Sequence, residues 1–282
     1  MPIYEQSYRR YEARQPLRRT RFLPITREAL KLILARKAFL VLWMFAWVPF
    51  IFRVIQVWVV TQLPQVGRVL PTDGRLFGEF LNQQGVFTLL LSVFGGAGLI
   101  ANDLRTGAIL VYLSRPLTRR DYVVGKLGVL LALNLSVTLL PGLLLYAVAL
   151  GLAPDQFAQW SMAWVAPAIV LHSFVVALSL SLAALAVSSL SRSARVAGLG
   201  FFGLLIGLGV VQTVLRALYR RPETSLLSLQ ANLEALARAL FGLVERGATT
   251  LPWTYPAAAL LVFAGLSLFI LRRRVRAVEI VR

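Results

Sequence analysis

Apolar residues in this 282-residue chain are massed in long runs instead of being dispersed at helical or strand spacing. Six stretches reach the roughly 20 residues that a helix needs to cross a hydrocarbon core ~30 Å thick: 38–60, 80–101, 122–150, 162–190, 196–219 and 251–271. The second is cleanly apolar only over 86–101, so Gln83 and Gln84 are expected at a membrane interface. Pro141-Gly142 predicts a kink in the third. The expected fold class is therefore all-α, a membrane protein of six transmembrane helices forming a single domain over 1–282.

Two further segments are amphipathic and do not span. Before the first span, Ile25, Ala29, Leu30 and Ile33 share one face of a helix that Thr26 is placed to cap. Arg27, Lys31 and Arg36 lie off that face, within reach of lipid headgroups, which describes an interfacial helix inside the segment 1–37. The alternative is a charged extension of the first span. Between the fifth and sixth spans, in 220–250, Leu226, Leu229, Leu233, Leu236, Leu240 and Leu243 step by three and four to form a stripe. Glu223, Glu234, Arg238 and Glu245 fall off it. By parity this helix is external, on the mouth of the bundle or dipping into the outer leaflet; the alternative, a seventh span, would bury those charges at high cost.

Charge changes the picture by its placement. The net charge is +18 and the pI near 11.5, yet the basic residues crowd the edges of apolar runs, the membrane pattern, and nucleic acid is not an expected partner. Of thirty Lys and Arg, twenty-two fall on the side holding 1–37, 102–126, 191–195 and 272–282, seven fall on the other, and Arg53 lies inside the first span, where it can snorkel outward. Both termini are thus expected in the cytoplasm. Trp58, Trp160, Trp164 and Trp253 sit at outer span ends as an aromatic belt would. No cleavable leader is expected, because the first apolar run is too long for a signal core. Abundant Leu, Ala and Arg fit a bacterial inner membrane.

The most informative loop is 102–126. Thr106-Gly107 can open a short helix over 108–114 presenting Ile109, Leu110 and Leu113, and Pro116 stops it at Arg115. Thr118 then caps the next helix, with Asp121 three residues on as the reciprocal partner. Apolar residues on a short cytoplasmic helix need a partner, either the membrane or a groove on a soluble protein.

In these residues the chain resembles the permeases of type-2 ABC exporters. Their loop between spans two and three runs acid-x-x-(Thr/Ser)-Gly, a hydrophobic helix, Arg-Pro-x-(Ser/Thr)-Arg, then an aromatic and Gly-Lys. Asp103, Thr106, Gly107, Arg115, Pro116, Thr118, Arg119, Tyr122, Gly125 and Lys126 match in order. Asp103 departs from the Glu that many members carry. The six spans, the interfacial helix, cytoplasmic termini and external helices before span six also fit that layout. The resemblance implies a coupling helix that inserts into a cleft of a separate ATP-binding subunit. Ile109, Leu110 and Leu113 would anchor it, and Arg105 and Arg115 would offer bonds to acidic or carbonyl groups. It implies no cofactor in this chain, ATP and Mg being held by the partner subunit, and a second permease copy or paralogue completing the transporter.

Other motifs carry less. Gly125-Lys126 is no P-loop, since the earlier glycine and the following Ser or Thr are missing, so ATP hydrolysis is not expected of this chain. Gly198-Leu-Gly-Phe-Phe-Gly203 matches a dinucleotide fingerprint only formally, inside a span. Gly95, Gly96 and Gly98 on span two, with Gly203 and Gly207 on span five, permit close helix approach, either as a dimer seam or translocation path or as packing within one subunit. His172 has no carboxylate or cysteine partner in sequence, and a hydrogen bond to Ser173 or a neighbouring helix would satisfy it. Ser179 and Ser181 are expected to bond nearby carbonyls. With no cysteine, three methionines, one histidine and no acid in mid-span, neither metal nor intramembrane catalysis is expected. Two competing functions remain, an ion-coupled secondary transporter and a membrane anchor or assembly factor without transport. The first would show intramembrane charges and discontinuous repeats.

Overall fold

In a computed structural model the chain is described over residues 22–63, 73–108, 118–152, 162–243 and 251–275. Helices α1 (Leu23–Leu34), α2 (Lys37–Phe45), α3 (Val48–Gln62) and α4 (Gly74–Thr106) are followed by α5 (Arg119–Val137) and α6 (Leu139–Leu152). Then come α7 (Val165–Ser188), α8 (Ala194–Tyr219), a 3-10 turn (Pro222–Leu227), α9 (Leu229–Leu240) and α10 (Thr254–Arg274). No strand occurs among the described residues. Six candidate spans result, Lys37–Gln62, Gly74–Thr106, Arg119–Leu152, Val165–Ser188, Ala194–Tyr219 and Thr254–Arg274. A chain with six helices of this length and apolarity is a multi-pass membrane protein.

Two prolines explain why spans one and three are each built from two helices. Pro49 has no N–H for the Phe45 carbonyl, and its ring crowds that residue. The chain accommodates it with a tightened turn in which the Trp47 N–H bonds Met44 O at 3.1 Å. Pro141 acts likewise on Val137, so the joint falls at Thr138, one turn before the proline. The kink expected at Pro141-Gly142 is thus displaced to the residue whose geometry the ring disturbs.

Spans two and four, α4 and α7, are the buried pair at the centre; spans one, five and six are peripheral and expose most of their apolar surface. Gly95 and Gly96 serve that central packing. A Cβ on Gly96 would lie 2.9 Å from Ala184 Cβ and 3.2 Å from Leu130, and one on Gly95 would touch Phe39, Leu130 and Leu133. Gly98 is held by its own neighbour, Asn102 Nδ2 lying 2.7 Å from its would-be Cβ. Gly203 and Gly207 face open space.

Several expectations need correction. Span two extends beyond 80–101 at both ends, and Gln84 is wholly buried within the protein, donating to Ala46 O at 2.9 Å. Thr26 does not cap α1, which begins at Leu23; it sits in the first turn and donates to Phe22 O and to Gly125 O. Arg53 does not snorkel but is paired with Glu79 at 3.1 Å. Neither Ser173 Oγ nor His172 Nδ1, both buried, has a hydrogen-bond partner among the described residues. Ser181 Oγ accepts from Asn134 Nδ2 of span three, at 3.3 Å. The amphipathic segment is not a seventh span. Helix α9 has twelve residues, about 18 Å of rise, too short to cross. Its Leu229, Leu233 and Leu236 are buried, and its end places Phe241 against Trp164, His172 and Gly78.

The glycine geometry yields a test. Gly96→Val forces its side chain into Ala184 and Leu130 and should lower unfolding stability by about 1–3 kcal/mol. Gly203→Ala, with nothing to meet, should be neutral or gain up to about 1 kcal/mol. Thermal unfolding of both variants in detergent checks the contrast.

Candidate coupling site

The loop 102–126 leaves α4 and enters α5 at one end of the bundle, here called the proximal end. Gly107 closes α4 with a left-handed φ of 72°, a conformation that suits glycine because it lacks a Cβ. Thr106 is the last residue of α4, its hydroxyl donating back to Asn102 O at 2.9 Å, and Ala108, directly after Gly107, is again helical. Ile109, Leu110, Leu113, Arg115 and Pro116 lie outside the described residues. On the return, Thr118 Oγ1 accepts from the Asp121 N–H at 3.2 Å while the Thr118 N–H donates to Asp121 Oδ2 at 3.0 Å. This reciprocal cap fixes where α5 begins.

Between these two boundaries stands a buried polar clamp. Lys126 Nζ lies 2.7 Å from Asp103 Oδ2, and the Tyr122 hydroxyl donates to the same oxygen at 2.7 Å. Lys126 is 5% exposed and Tyr122 1%, so the carboxylate must be matched there, a buried charge being tolerated only when paired and hydrogen-bonded. Tyr122 and Lys126 are four apart on α5 and present both donors on one face toward α4. The Lys126 ammonium also sits 5.5 Å from the Tyr122 ring centroid, a cation over the aromatic face.

Gly125 faces the other way. A Cβ there would meet Ile25 at 3.0 Å, and its carbonyl accepts from Thr26 Oγ1 at 2.8 Å. Gly128, one turn on, brings Thr26 Oγ1 within 3.1 Å of its own would-be Cβ. Helix α1 therefore lies directly on the first turns of α5. Gly125 and Lys126 divide the work: the glycine admits α1, and the lysine holds α4. Arg105, Arg119 and Arg120 are exposed, with no acidic partner among the described residues.

Just inside the clamp, Ser188 at the end of α7 enters the backbone ladder of α4. Its Oγ donates to Ala97 O at 2.7 Å and accepts from the Ile100 and Ala101 N–H groups at 3.2 and 3.1 Å. This residue escaped sequence analysis, because a serine at a span end has no signal distinguishing it from its neighbours. The Asp103–Lys126 pairing was missed for a different reason: the two residues are 23 apart in sequence, and only packing reveals that they meet.

Residues 81–271 match the family described as ABC-2 family transporter protein. No curated protein matches the chain.

Removing one partner of the clamp should show its worth. Lys126→Met leaves the Asp103 carboxylate short of its cation, and loss of one member of a buried pair costs about 3–5 kcal/mol. The double variant Asp103→Leu/Lys126→Met, which buries no isolated charge, should recover much of that loss in chemical unfolding. Additive losses in the double variant would mean that the two charges do not interact.

Proposed function

The chain belongs to the ABC-2 transporter family, and we propose that it is the permease subunit of an ATP-driven exporter whose nucleotide chemistry resides in a separate ATP-binding subunit. ATP and Mg belong to that partner, and this chain is the non-catalytic membrane part. The single observation that carries the reading is the clamp at the base of the 109–117 segment. Asp103 bonded to both Tyr122 and Lys126 holds spans two and three together where the segment departs and returns. A helix that is to transmit force needs such a rigid base, and force applied to it would reach the buried central helix α4 directly.

On this reading Ile109, Leu110 and Leu113 fill a groove on the ATP-binding subunit, and Pro116 stiffens the return. Arg105 and Arg115 face acidic or carbonyl groups of the partner; Arg105, exposed and without an acidic partner among the described residues, supports this. The excess of Lys and Arg at the proximal end supports a cytoplasmic position for that end and for both termini, in a bacterial inner membrane. Exposed Arg27 and Lys31 on α1, with exposed Arg36 just after it, support an interfacial position for that helix. Two permeases, identical or paralogous, form the path. The open faces of Gly203 and Gly207 on α8, next to exposed Leu199 and Val210, support span five as a seam between copies. Gly95 and Gly96 then act within each copy.

Deletion of 108–114 provides the test. The ATP-binding subunit should co-purify with the full chain and be lost from the deletion variant, whose thermal unfolding stays that of the parent. Unchanged co-purification would overturn the coupling role. Uncoupler-sensitive transport without ATP would favour a secondary transporter instead.

A further inference from the structure

We propose that α3, the distal half of span one, is a hinged gate that pivots at Ala46–Trp47 and is latched to span two by the Arg53–Glu79 ion pair. Span one is loosely held. Apart from the latch, only Val57 and Val60 of α3 are buried, while Ile51, Phe52, Ile55 and Trp58 are each at least half exposed. Onto that apolar rod the sequence places an arginine that is 8% exposed. Its Nη1 donates to Glu79 Oε2 at 3.1 Å and to Gln56 Oε1 at 2.9 Å. An ionisable group inside a span is costly unless matched, and such groups concentrate where a membrane protein functions. Here the match comes from the neighbouring helix, so the pair is a tie between spans one and two rather than an internal feature of either.

The pair is unequal in a way that suits release. Arg53 is buried, whereas the Glu79 side chain is 45% exposed. When the two separate, Glu79 keeps its hydration, and Arg53, about 13 Å of helix from Gln62, can extend toward the distal interface.

A latch without a hinge would be only a strut, and the hinge is independently visible. Pro49 divides span one into α2 and α3. Buried Gln84 of span two caps the joint by donating to Ala46 O at 2.9 Å. The same joint is incompletely satisfied: Gln84 Oε1 and Trp47 Nε1 are both buried without a partner. Buried polar atoms without a partner in a native structure call for an explanation, and a second orientation of α3, in which they pair, supplies one. Pivot and latch sit seven residues apart on span one and five apart on span two. The two ties therefore act on the same pair of helices, one as an axle and one as a catch.

The gate rests on the transport reading for its purpose but not for its geometry, and the test needs no ATP-binding subunit. The chain has no cysteine, so Gln62→Cys and Arg75→Cys place spin labels uniquely at the distal ends of α3 and α4. Pulsed electron paramagnetic resonance on the full chain in lipid nanodiscs reads their separation. The parent should give one dominant distance, Glu79→Gln should add a longer population, and the charge swap Arg53→Glu/Glu79→Arg should return the distribution toward the parent. Glu79→Asp, which keeps the charge and shortens the reach by one methylene, should give an intermediate result if Glu79→Gln folds poorly. One unchanged distance across Glu79→Gln, Glu79→Asp and the swap would overturn the proposal. So would a longer distance in Glu79→Gln that the swap leaves in place. Loss of coupling to an ATP-binding subunit, with these distances behaving as expected, would count against the transport reading alone.

Discussion

Hydrocarbon offers no hydrogen bonds, so each polar group carried into the membrane must find its match within the protein. In this chain the constraint falls chiefly on span two. Passing from its distal to its proximal end, Glu79 binds Arg53 and Gln84 binds the Ala46 carbonyl, both on span one. Ser92 meets Asn134 of span three, which also reaches Ser181 of span four. The Ala97–Ala101 backbone receives Ser188 of span four, and Asp103 takes Tyr122 and Lys126 of span three. These polar groups of α4 thus tie it to spans one, three and four. Because none of these groups is stable alone in lipid, each tie also fixes which face of α4 turns toward which helix.

The ties differ in kind along the axis. At the proximal end they are ionic, short and shielded, and they are reinforced by α1 lying on Gly125 and Gly128. At mid-membrane they are neutral, where an amide and two hydroxyls bind three helices without carrying charge into the region of greatest cost. At the distal end the tie is again ionic, but one partner is half exposed. The ionic ties are thus more shielded beside the 109–117 segment than toward the end of span one.

Close packing reinforces the grading. Gly96 against Ala184 and Gly198 against Ala97 bring backbones together at the proximal half of the bundle, where dispersion between helices replaces the hydrophobic effect that lipid cannot supply. Helix α8 contributes buried residues only as far as Leu205, and it also packs against the 3-10 turn and α9. Helix α9 packs at the distal ends of spans two and four, where the Phe241 side chain that follows it lies against Gly78 and the Trp164 ring lies against Gly74.

The number and order of the spans were legible in the sequence, because crossing a bilayer requires only length and apolarity, properties that local composition carries. The start of α5 was legible too, since a Thr–Asp capping box is closed by residues three apart. So was the inward face of α1, which periodicity alone prescribes. The joint before Pro49 had its signal in the sequence, a proline within an apolar run. What the sequence left open was partnership. Asp103 and Lys126, Arg53 and Glu79, and Gln84 and Ala46 are separated by one loop or more, and whether they meet depends on how each helix is rotated about its axis. Glycine was equally ambiguous: Gly96 and Gly203 are the same residue in similar apolar helices, yet one is packed against α7 and the other faces open space. Rotation and neighbourhood arise from the simultaneous packing of all the helices, and only the tertiary structure decides them.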